Sequence, residues 1–91
     1  MRKPFLILHK MFYVYILYSN QLDRYYVGST QDVENRIKAH LYNHKGFTSK
    51  AKDWNLVYHE QYANREEAYD RERQIKKWKS RIKIEQLVKG L

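Results

Sequence analysis

Cysteine is absent from the chain, which excludes both a disulfide framework and a thiolate zinc site, so packing alone must hold the fold together. Long apolar runs are absent as well: the longest, Phe12 to Tyr18, falls far short of the ~20 residues that span a bilayer, and no membrane partner is expected. The opening Met1-Arg2-Lys3 and Phe5 to Leu8 imitate a secretory signal. His9 and Lys10 interrupt that run, however, and no small-residue cleavage site follows, so a cytoplasmic location is expected. Internal repeats and low-complexity tracts are also missing. Residues 1–11 are read as an N-terminal extension or arm, and 12–91 as a single domain with a small core.

Tyrosine and positive charge are abundant. Nine Tyr stand against three Phe, so much of the apolar volume carries a hydroxyl that must find a partner or reach water. Eighteen Lys and Arg against ten Asp and Glu give a net charge of +8, large for so small a surface, and a phosphate polymer is the expected partner.

Phe12 to Tyr18 and Tyr25 to Ser29 are rich in aromatic and β-branched residues, and the polar stretch between them reads as the turn of a β-hairpin. Gly28, late in the second strand, permits a bulge or a close backbone approach, and Thr30 or Asp32 can cap the helix that follows. That helix carries Val33, Ile37 and Leu41 as its apolar stripe. Residues 44 to 50 show no period and read as loop, followed by a third strand from about Trp54 to Tyr62. Asn64 with Glu67 forms a helix start, and Arg65 to about Ser80 contains no Gly or Pro. Ile84, Leu87, Val88 and Leu91 mark a terminal helix, separated from its predecessor near Ser80 to Lys83. The order β-β-α-β-α-α predicts an α+β fold in which helices cover a small antiparallel sheet. A helix-turn-helix reader of DNA would not spend its first third on a hairpin.

Some residues break these local patterns. On the long helix Ala68, Ile75 and Trp78 form a stripe whose missing position is Glu72, a carboxylate where an apolar residue is expected. Such a group must pair with a cation such as Arg71, Lys76 or Arg36, hold a metal, or lie at the stripe's edge. Arg36 and His40 are four apart and project along one border of the first helix, and Tyr15 and Tyr26 belong to neighbouring strands where cross-strand proximity is expected. His44, Trp54, His59 and Trp78 are assigned loop or core roles.

Taken in order, Tyr13-Val14-Tyr15, Tyr26-Val27-Gly28, Arg36, His40 and Ala68 to Lys76 with Glu72 resemble the GIY-YIG nucleases, most closely their short stand-alone bacterial members. Related domains occur in homing endonucleases and in the excision-repair nuclease. The resemblance covers about Phe12 to Lys79 and implies a three-stranded antiparallel sheet with flanking helices. It assigns Tyr15 and Tyr26 to the two motif tyrosines, Arg36 and His40 to the helical pair, and Glu72 to the single metal-binding glutamate. Tyr13 departs from the motif glycine, and Val14 and Val27 replace isoleucines.

The resemblance implies a metal-dependent endonuclease that hydrolyses phosphodiester bonds, with DNA as the expected polymer, DNA repair as a setting and little sequence preference. Glu72 would hold one divalent cation, Mg²⁺ or Mn²⁺, and Arg36 would donate to the phosphate oxygens. Tyr15 is the first candidate base and Tyr26 orients the water or phosphate, while His40 relays the proton or is itself the base. A free phenol with a pKa of about 10 is a poor base at neutral pH, so that choice stays open. Lys50, Lys52, Lys76, Lys77 and Lys79 are the expected nucleic-acid contacts. The alternatives are a binding module of the same fold without useful catalysis, and a protein-interaction domain with an acidic partner.

Overall fold

The computed structural model describes residues 11–42 and 45–90. Expectations about the N-terminal arm, His44 and Leu91 lie outside the described residues. Strands β1 (Phe12–Ser19) and β2 (Arg24–Thr30) form the hairpin; helix α1 (Val33–Tyr42), a 3-10 turn (Phe47–Lys50) and strand β3 (Asn55–Tyr62) follow. Helices α2 (Arg65–Trp78) and α3 (Arg81–Lys89) complete the chain, so the α+β order read from sequence holds. The sheet is antiparallel throughout, in the order β2-β1-β3.

The central strand is buried on both faces, and its period of two sorts the core. Val14 and Ile16, with Val27 of β2, pack under Ala68 and Ile75 of α2, with Ile84, Leu87 and Val88 of α3 against them. Tyr15 and Leu17 point the other way, into a second cluster with Ala51 and Trp54, closed by Tyr26, Ile37 and Leu41. The α1 stripe read from sequence therefore faces the tyrosine side of the sheet, and the α2 stripe faces the valine side.

The caps follow the expected chemistry. Asp32, rather than Thr30, caps α1: its Oδ1 accepts the Asn35 N–H at 3.1 Å, while Thr30 Oγ1 accepts the Asp32 N–H. Asn64 Oδ1 accepts the Glu67 N–H at 2.9 Å. The break between the last two helices falls slightly earlier than predicted, at Lys79, whose φ of 47° is left-handed and ends α2. Ser80 then caps α3 through the Lys83 N–H.

Two local expectations are corrected. The stretch without hydrophobic period is in part ordered, because Phe47–Lys50 closes a 3-10 turn through Ser49 N–H to Gly46 C=O at 3.2 Å. No bulge occurs at Gly28, where the pairing with β1 is continuous; the register shift lies instead between β1 and β3, at Ile16/Leu17. What comes close at Gly28 is the side chain of Tyr15.

Candidate active site at the edge of the sheet

Register places Tyr15 opposite Gly28 and Leu17 opposite Tyr26, so the two candidate tyrosines are diagonal neighbours on one face, with ring centroids 6.4 Å apart. A Cβ on Gly28 would lie 2.5 Å from the Tyr15 oxygen. The missing side chain is therefore what lets the phenol lie flat across β2.

Tyr15 is 1% exposed and its hydroxyl lies 2.8 Å from His40 Nε2. His40 is the one buried residue of α1 and also touches Tyr26, with ring centroids 4.8 Å apart. Its other nitrogen, Nδ1, lies 2.9 Å from Thr48 Oγ1, itself buried. Arg36, one turn earlier on α1 and exposed, bears on the same phenol as a positive charge.

Burial dominates the electrostatics. It pushes the Tyr15 hydroxyl well above its ordinary value, with Tyr26 and Glu72 adding to the rise and Arg36 opposing it without prevailing. It also holds His40 below the usual histidine value, and the Arg36 charge adds to that effect. At neutral pH Tyr15 is consequently a neutral phenol and His40 a neutral imidazole.

Glu72 comes from α2, across the sheet from His40. β2, whose Ser29 it meets, is an edge strand, and the Glu72 charge adds to the rise at Tyr15. Its side chain is 12% exposed. Ser29 donates its hydroxyl to Oε1 at 2.6 Å, and the Lys76 ammonium sits on Oε2 at 2.6 Å. Of the cationic partners the sequence allowed, Lys76 is the one used. That ammonium is also 5.9 Å from the Tyr26 ring centroid, which ties the carboxylate to the second tyrosine.

Two clefts are each bordered by one partner of this carboxylate, and Glu72 itself lines neither. One of about 480 Å³ is lined by Ser29, Arg36, Arg65, Glu66 and Tyr69; the other, about 320 Å³, by Tyr26, Phe47, Lys76 and Lys79. Ser29 and Lys76, the two partners of Glu72, each line one of them. Tyr15, Tyr26 and His40 thus meet on one face, Arg36 lies one turn from His40 on the same helix, and Glu72 is linked to Tyr26 through Lys76. The candidate binding lysines divide: Lys76 and Lys79 border the second cleft, and Lys50 lies 5.4 Å from the ring centroid of Phe47, which lines it. Lys52 is exposed, and Lys77 lines a different cleft with Asp70, Gln74 and Trp78.

Sequence reasoning missed Ser29, Thr48 and Arg65 as members of this region. Ser29 was within reach, since it alternates with Val27 and so faces α2. Thr48 carried no signal, because its contact with His40 depends on how a stretch without period folds back.

The GIY-YIG catalytic domain family matches residues 11–85. Among solved structures, the chain is similar to the UPF0213 protein BH0048 from Bacillus halodurans, determined by solution NMR. The two are 35% identical, the match covers 87% of this chain and 83% of that one, and the TM-score is 0.54. No curated protein matches the chain. Strand order, the succession of tyrosines, arginine, histidine and glutamate around one edge strand, and the match over most of the sequence converge: the chain belongs to the GIY-YIG family and carries its nuclease-type domain.

Proposed function

We propose that the chain is a divalent-metal-dependent endonuclease hydrolysing phosphodiester bonds in DNA with little sequence preference. The observation that carries this reading is the buried Tyr15–His40 contact within the influence of the Arg36 charge, with the Glu72 carboxylate linked through Lys76 to Tyr26. Charge supports the substrate class, since +8 on 91 residues favours a polyanion.

The donor set at Glu72 fits a hard, hydrated cation. Among the described residues no cluster of three or more His, Asp or Glu is poised to hold a metal. One carboxylate beside the Ser29 hydroxyl suits Mg²⁺ or Mn²⁺, which takes water and substrate phosphate for its other positions, and the Lys76 ammonium marks the place as one that attracts a cation. Such a cation would neutralise charge developing on the phosphate and the leaving oxygen.

The chain's own groups account for the proton. As water oxygen attacks phosphorus and the bond to the leaving oxygen breaks, Tyr15 accepts the water proton while passing its own hydroxyl proton to His40 Nε2. This relay avoids a free phenolate, which burial makes costly, and draws on an imidazole that burial keeps neutral. Arg36 donates to the non-bridging phosphate oxygens, and Tyr26 orients the water or phosphate. Arg36 with Arg65 in one cleft, and Lys76 with Lys79 in the other, hold the phosphates on either side.

A second reading draws on Lys76: a carboxylate already neutralised by an ammonium would suit a nucleic-acid-binding module of this fold without useful turnover. Incubation with branched, single-stranded and duplex DNA and with RNA, with and without Mg²⁺, separates the two. Metal-dependent cleavage of DNA that disappears in Glu72→Ala is the expected result. Binding without cleavage would favour the module, and cleavage surviving in EDTA would remove the metal from the mechanism.

A further inference from the structure

His40 has two ring nitrogens, and the proposed proton relay works with only one of its neutral tautomers. If Nε2 carries the proton, it donates to the Tyr15 oxygen and cannot accept from it. If Nδ1 carries the proton, Nε2 offers a lone pair to the phenol.

The surroundings decide between them. A phenol O–H is a stronger donor, and its oxygen a weaker acceptor, than the aliphatic hydroxyl of a threonine. The phenol proton, in a residue 1% exposed, needs an acceptor of its own, and His40 Nε2 at 2.8 Å supplies it. The imidazole N–H is then on Nδ1 and needs an acceptor in turn. Thr48 Oγ1 lies 2.9 Å away, on a residue 2% exposed.

The backbone around Thr48 is itself fastened. Its carbonyl accepts the indole N–H of buried Trp54 at 2.9 Å, and the 3-10 turn containing it is closed by Ser49 N–H to Gly46 C=O. The hydroxyl is therefore held against His40 by two attachments that involve neither the phenol nor the carboxylate.

From this geometry we infer that Thr48 is a positioning residue: its hydroxyl fixes His40 as the Nδ1–H tautomer, turned so that Nε2 receives the Tyr15 proton. Thr48 is buried and acts through His40. Its consequence for turnover rests on the proposed nuclease reaction, while the tautomer itself is measurable without substrate.

The test is a long-range ¹H–¹⁵N spectrum of the full chain labelled with ¹⁵N-histidine, recorded at neutral pH on wild type, Thr48→Val and Thr48→Ser. Wild type and Thr48→Ser are expected to show His40 protonated at Nδ1 with Nε2 as acceptor. In Thr48→Val, nearly isosteric but without the hydroxyl, this single tautomer is expected to give way to a mixture. With DNA and Mg²⁺, kcat of Thr48→Val is expected to fall on the order of tenfold at unchanged KM, a fraction of the ~100-fold or more that a placed acid–base group supplies, and Thr48→Ser to restore it. Wild-type His40 protonated at Nε2, or a tautomer indifferent to Thr48→Val, overturns the inference whatever the activity. A chain that shows the expected tautomers yet cleaves nothing leaves Thr48 as the tautomer-setting group and removes the nuclease reading instead.

Discussion

Gly28 matters out of proportion to its size. The Tyr15 ring occupies the space where any other residue would place Cβ, with Cζ as well as the hydroxyl oxygen within 2.6 Å of that point. Gly28→Ala is expected to push the ring off the strand, destabilise the chain by about 1–3 kcal/mol as overpacking does, and abolish cleavage. Equilibrium unfolding in urea and a turnover assay check both. An alanine variant with wild-type stability and rate would mean the ring has room to move. That Gly28 permits a close approach was legible in the sequence, whereas the side chain it makes room for was not, since that follows from the register of Tyr15 opposite Gly28.

Helix α2 must be set at the right angle on the sheet for Glu72 to reach the edge of β2, and Glu60 of β3 does much of this. Its carboxylate accepts from the Tyr62 hydroxyl at 2.7 Å, from Arg71 Nε and Nη2 at 2.9 and 3.1 Å, and from the Tyr58 hydroxyl. Burial raises its pKa, and the guanidinium and two phenols more than offset this, leaving it below the ordinary carboxylate value. Arg71 is the neighbour of Glu72 and also stacks on Trp78, 5.5 Å from its ring centroid. Glu60→Ala strands a guanidinium and two hydroxyls that are only partly exposed, and is expected to cost about 2 kcal/mol in urea unfolding. A loss below a few tenths of that would show α2 to be held by its apolar face alone. The existence of α2 was readable from its cap and composition. Its clamp was not, because Glu60 is eleven residues away from Arg71 and alternates with tyrosines that look like ordinary strand residues.

Across the whole molecule, positive charge is not evenly useful. Arg65 lines the cleft beside Glu72, whereas Lys77 lines another, so Arg65→Ala is expected to lower the salt dependence of DNA binding more than Lys77→Ala. The slope of log K against log salt should fall by about 0.9 for each lost phosphate contact on duplex DNA, read by fluorescence anisotropy over a salt series. Equal slopes for both variants would mean that binding follows net charge rather than a path over this edge. The order of elements, the two faces of the central strand and the identity of the polar residues that interrupt them were all readable along the chain, because periodicity and capping are local properties of neighbouring residues. Three meetings were not: Ser29 of the edge strand donates to the Glu72 carboxylate, Lys76 rather than Arg71 or Arg36 neutralises it, and Thr48 closes on His40. These depend on how separate elements come together in space. They are fixed by register, by the packing of helices on opposite faces, and by burial that gives each hydroxyl and ring nitrogen few partners to choose from.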